Sequence, residues 1–112
     1  MNIIIMSSTF YDHILHLDRL SAFVASLDIH KAEKEELWHL VDEILHHRVL
    51  GFILDKLPEI HHEEFLEKLA NNPSDHSIIT YLKDLIEGDI EELLSSEIAT
   101  IEAEITELIT VV

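Results

Sequence analysis

Nine histidines and 23 Asp and Glu stand in a chain of 112 residues, so imidazole–carboxylate chemistry is the first possibility to weigh. These two groups are the natural protein ligands of zinc, iron and manganese. Glu36, His39, Glu43 and His46 fall at i, i+3, i+7 and i+10, which is one stripe on a helix. Glu36-x-x-His39, Glu43-x-x-His46 and Glu59-x-x-His62 each have the Glu-x-x-His spacing of carboxylate-bridged di-iron bundles. Such a centre also needs a Glu from each of two further helices, all projecting into an apolar interior. The stripe of His39, Glu43 and His46 instead lies away from Leu37, Val41, Ile44 and Leu45, which places it on a solvated face.

The other histidines are less specific. His13 and His16 stand at i, i+3 with Asp12 and Asp18 close by. His61-His62-Glu63-Glu64 lacks the second histidine of a His-Glu-x-x-His zinc motif. No catalytic, metal or cofactor residue is therefore assigned, and a His/Glu-ligated metalloprotein with His39, Glu43 and His46 as its ligands stands as an alternative.

Nucleophilic chemistry finds less support still. The chain has no cysteine, which excludes disulfides, thiolate catalysis and cysteine zinc sites. No serine sits in a Gly-x-Ser-x-Gly elbow, and two glycines, Gly51 and Gly88, cannot build a phosphate-binding or dinucleotide-binding loop. The carboxylates recur along every predicted helix as a solvated face, and none is singled out for acid–base work. The expectation is a protein that is not an enzyme.

Charge narrows the partners. Seven Lys and Arg against 23 acids leave a formal net charge of −16, which repels phosphate; nucleic acid and anionic membranes are excluded as partners. Residues 1–56 carry nine acids and five bases, whereas residues 57–112 carry 14 acids and two bases. After Lys83 there are nine acids and no base. Nine imidazoles, with an ordinary pKa of about 6.5, can take the net charge from −16 towards −7 in mild acid. No apolar run approaches a membrane span. The opening Met1-Asn2-Ile3-Ile4-Ile5-Met6 lacks the basic region and cleavage site of a signal peptide, so a cytoplasmic location is expected.

The elements that must position these residues read as helices throughout. Two glycines and two prolines are too few turn residues for a sandwich or barrel. Ser7, Ser8 or Thr9 caps a first helix carrying Phe10, Ile14, Leu17, Leu20, Val24 and Leu27 on one face. A second helix runs from about Lys31 to Leu57, with Gly51 marking a bend or a close crossing and Pro58 ending it. A third spans about 59–70 with Ile60, Phe65, Leu66 and Leu69 inward, and Asn71-Asn72-Pro73 breaks it. Ser74 or Asp75 caps a fourth helix to about Glu87. Gly88 is a left-handed terminator, and Asp89 caps a fifth helix. Trp38, Phe10, Phe23, Phe52 and Phe65 supply the large residues of the core.

The end of the fifth helix is ambiguous. Thr106 to Val112 is rich in β-branched residues, and a short strand against Ile3-Ile4-Ile5 competes with a helix to about Ile109. Leu94, Ile98, Ile101, Ile105, Leu108 and Val112 repeat at 4, 3, 4, 3, 4, a heptad seam that favours helix and marks a candidate protein interface.

Glu33-Lys34-Glu35-Glu36-Leu37, Arg48-Val49-Leu50 with Ile53-Leu54 and Leu57, and Glu63-Glu64-Phe65 with Lys68-Leu69 resemble a bacterial family of small, acidic, all-helical domains of unknown function. The resemblance covers roughly residues 27–105. It implies an all-helical fold and a bacterial source, and brings no activity with it.

The fold class expected is all-α: residues 1–112 as a single compact, mostly antiparallel helical bundle of about five helices. The expected function is a non-enzymatic, acidic helical interaction module whose partner is another protein or a second copy of the chain. An acidic mimic that binds a basic protein is a further alternative.

Overall fold

The computed structural model describes residues 9–111 except His16. Five α-helices follow one another among these residues, with no strand: α1 Asp18–Ser26, α2 Lys31–Lys56, α3 His62–Asn71, α4 Ser77–Leu85 and α5 Ile90–Val111. The two short 3-10 turns, Asp12–Ile14 and Glu59–His61, precede α1 and α3. The all-α bundle expected from the sequence is the fold.

The chain entering α1 is not the single helix that the apolar spacing predicts. Phe10 and Tyr11 are both buried. The backbone then takes a 3-10 turn at Asp12–Ile14, an extended Leu15, and a fresh helical start at Asp18. Leu27 is extended, and α2 begins only after His30, whose N–H donates to Glu33 Oε1 at 3.0 Å. Ser7 and Ser8, proposed as caps, lie outside the described residues.

Later boundaries follow local chemistry closely. Leu57 takes an extended conformation (ψ 131°) because Pro58 disfavours the helical region for the residue before it, and α2 stops there. Asp75 accepts the Ser77 N–H at 3.0 Å to open α4. That helix closes at Leu85, two residues short of the expected Glu87, with Ile86 extended. Gly88 has φ +98°, a conformation that side chains oppose, and it turns the chain into α5. Asp89 Oδ1 then accepts the Glu91 and Glu92 N–H groups at 3.1 and 3.3 Å.

Helix α5 packs against α1, α2 and α4 and forms the centre of the fold. Its Ile90, Leu94, Ile98, Ile101 and Ile105 are buried against Leu20 and Val24 of α1, Val41, Leu45, Val49 and Ile53 of α2, and Ile79 and Leu82 of α4. The helix continues to Val111, so the seam persists over the β-branched tail and the strand reading fails for every described residue. Partners Ile3-Ile4-Ile5, and Val112, lie outside the described residues. Beneath α4, Phe10 meets Tyr11 and Phe65 edge to face, with ring centroids 5.1 and 6.3 Å apart. Trp38 joins this core, whereas Phe23 and Phe52 are only half-buried and Tyr11, not expected inside, is fully buried.

Two inward assignments are corrected. Ile60, in the 3-10 turn before α3, is 84% exposed, and Leu66 is exposed because α3 buries only the narrow stripe of Phe65 and Leu69. Gly51 marks neither a crossing nor a close approach: nothing stands within 4 Å of the place its Cβ would occupy. It is a surface position of an uninterrupted helix.

Candidate functional site: an apolar groove between α2 and α5

Where α2 begins and α5 ends, the two helices leave a cleft of about 430 Å³. Leu37, Leu40, Val41 and Ile44 line it from α2, and Ile105, Leu108 and Ile109 from α5. Leu27 and Ile29, in the link after α1, close one end. Every one of these residues is aliphatic, so no side chain there offers a hydrogen bond or a charge to whatever enters. Leu40 is 52% exposed and Leu108 63% exposed, and they stand on opposite walls. Leaving such surfaces in water costs about 25 cal/mol for each Å² of apolar area.

The surroundings are acidic. Glu36 and Glu43 flank Leu40 by one helical turn on α2, and Glu104 and Glu107 flank Leu108 on α5; all four are exposed. Arg48 is the cation nearest Ile44 on α2, and it is spent inside the fold. Its guanidinium donates to Glu104 Oε1 at 2.7 Å and lies 3.8 Å from Glu97. This hydrogen bond holds the Glu104 carboxyl below the usual range and raises the Arg48 guanidinium above its own. Lys34 reaches back to the Ala25 carbonyl at 3.1 Å.

Of the six seam residues proposed as an interface, Leu94, Ile98, Ile101 and Ile105 are buried within the chain's own core. Leu108 alone of the described members is exposed, and it faces the groove. Val112 is outside the described residues. The heptad spacing located the right helix but not which part of it stays open. Leu40, on the facing wall, is exposed although its spacing from Leu37 and Ile44 sets it beside the apolar face.

The histidine stripe of α2 does not gather. His39 and Glu43 are exposed, and His46 Nδ1 is hydrogen-bonded to the Tyr11 hydroxyl at 3.2 Å. Burial, with Asp42 nearby, pushes that phenol above its ordinary pKa. His62 points at the Leu57 carbonyl at 2.8 Å, at the end of α2, and His61 lies 3.6 Å from Glu64. On the α3–α4 face, Tyr81 donates to Glu64 at 2.7 Å. Burial and this carboxylate push Tyr81 up to about 12, and the same bond holds Glu64 down. Of these contacts, the Tyr81–Glu64 bond joins α3 to α4.

Comparison with protein-family models, curated proteins and solved structures finds no match for this chain. Among the described residues, no helix is long and apolar enough to cross a membrane.

Proposed function

We propose that this chain is a non-enzymatic interaction module, and that the groove between α2 and α5 receives a basic amphipathic helix of a partner protein. The observation that carries the reading is the groove itself, aliphatic on all sides and bordered by Glu36, Glu43, Glu104 and Glu107. An amphipathic helix laid into an apolar groove is a recurrent recognition mode, read through anchors at i, i+3, i+4 and i+7. The acidic border selects for Lys and Arg beside those anchors, and a net charge of −16 steers such a partner in. The same charge opposes a second copy of the chain. The absence of polar groups in the lining supports binding over catalysis, because an active site needs placed donors, acceptors or charges.

The test uses a synthetic Leu/Lys peptide with an amphipathic helical pattern and a scrambled peptide of equal charge. Binding to the full chain is followed through the fluorescence of Trp38, the one tryptophan, which stands beside Leu37. The patterned peptide is expected to bind saturably, more weakly at high salt, and the scrambled one not to. Leu40→Glu and Leu108→Glu add negative charge yet are expected to abolish binding, which separates groove recognition from bulk attraction. Equal binding of both peptides, or binding that survives both substitutions, overturns the proposal. Dimers that vanish in Leu108→Glu would name a second copy as the occupant. Binding that appears only on deleting residues 1–8 would name the chain's own start; either result also overturns it.

A further inference from the structure

We infer that Asp12, His13 and His76 form a binding site for one zinc-class divalent cation, at the end of the molecule where the first 3-10 turn meets the starts of α4 and α5. This site is independent of the groove. The chain brings together three ligand-bearing side chains from distant segments, and their ligand atoms all lie within 4.8 Å of one another. His76 Nε2 is 3.1 Å from Asp12 Oδ1, across 64 residues of sequence. The His13 and His76 rings stand with centroids 5.1 Å apart. A fourth group is at hand, since Glu91 Oε2 lies 2.9 Å from His13 Nε2.

The donor set selects the metal class. Two imidazoles with one or two carboxylates suit zinc and its neighbours, whereas calcium and magnesium require six or more oxygens or retained waters. Zinc bonds of about 2.0–2.2 Å place tetrahedral ligand atoms about 3.4 Å apart. The observed separations reach that by side-chain rotation, since all four groups are at least partly exposed. In each of the two pairs a histidine Nε2 now faces a carboxylate oxygen; a zinc ion held by all four groups would take the hydrogen's place in both pairs, with each imidazole carrying its proton on Nδ1. Glu91 is also anchored by Lys83 Nζ at 3.4 Å, which holds its carboxylate beside His13. A bound ion would staple the segment leading to α1 onto the α4–α5 corner. Ligand binding to the folded state alone raises its stability, so the staple has a thermal readout.

Full-length protein without an affinity tag, stripped with EDTA, is titrated with zinc chloride at neutral pH by calorimetry, and with cobalt(II) by visible absorption. One equivalent of zinc is expected to bind and to raise the melting temperature, and cobalt is expected to give the intense bands of a four-coordinate ion. Calcium and magnesium are expected to produce neither effect. His13→Gln and His76→Gln each abolish the one-equivalent binding, and Glu91→Gln weakens it about tenfold. His39→Gln and His47→Gln, on exposed parts of α2, leave it unchanged. Circular dichroism of the metal-free variants checks that the fold is retained, with Asp12→Asn as a further variant of small structural effect. Failure of the wild-type chain to bind zinc overturns the site. So does binding of several equivalents that His76→Gln leaves intact, or binding of magnesium as tight as that of zinc.

Discussion

Glu102 shows how a single carboxylate of α5 supports an element 82 residues away. Its Oε2 accepts the Leu20 N–H at 3.0 Å. Leu20 stands in the first turn of α1, where backbone N–H groups have no partner within the helix. The residue before that helix, Leu17, offers no side-chain oxygen, so the cap must come from elsewhere. A negative group at a helix N-terminus also complements the helix dipole. Loss of a side-chain cap costs about 1 kcal/mol. Glu102→Ala is therefore expected to lower unfolding stability by about that amount in urea titrations, whereas Glu102→Gln, which keeps an acceptor oxygen, retains most of it. Equal stability of the alanine variant and the wild type would remove Glu102 from this role. From sequence, Glu102 reads as one more unpaired acid on a helix without bases; its partner is a backbone group that no local pattern announces.

The helices divide by how local their determinants are. Helix α2 ends where Pro58 requires it, and α5 begins where Gly88 and Asp89 allow it, so both boundaries were legible. The two glycines make this testable. Gly88→Ala forces a side chain into φ +98° and is expected to destabilise by about 1–2 kcal/mol. Gly51→Ala sits in open space on a regular helix and is expected to stabilise by about 1 kcal/mol, the helix-propensity difference. Denaturant midpoints moving in opposite directions check both; a loss at Gly51 would reveal a bend that the helix does not show. What was not legible depends on long-range packing. The break before α1, with Leu15 extended, is marked by no Gly or Pro in the sequence. Periodicity places Ile60 and Leu66 inward, but Ile60 lies in the 3-10 turn before α3 and Leu66 is off the buried stripe of Phe65 and Leu69. The groove was half legible: the seam pointed to Leu108, while nothing in the local pattern marked Leu40 as exposed. The meeting of Asp12, His13 and His76 has no sequence signature at all, since it depends on how α4 and α5 fold back.

At the scale of the whole molecule, charge acts against shape. The chain measures 47 × 24 × 21 Å, and it carries 23 acids against seven Lys and Arg. Among the described residues, the Lys and Arg ion pairs between helices use few of those acids: Arg48 meets Glu104 and Glu97, and Lys83 meets Glu91. Exposed pairs of this kind are each worth little, about 0–1 kcal/mol. The remaining carboxylates repel one another across a narrow body, and net charge far from zero destabilises a compact state. Salt weakens both contributions, so its effect reports which is larger. Raising sodium chloride from about 0.1 M to about 1 M shortens the screening length from about 10 Å to about 3 Å. Repulsion among acids spread over tens of ångströms is lost first, while the 2.7 Å contact of Arg48 with Glu104 is screened least. The melting temperature, followed by circular dichroism at neutral pH, is therefore expected to rise with salt, and to rise equally with potassium chloride if screening is the cause. A melting temperature that falls would mean that the few cationic contacts outweigh the surplus of acid. In that case the negative surface would be a structural element of the fold rather than charge held in reserve for a basic partner.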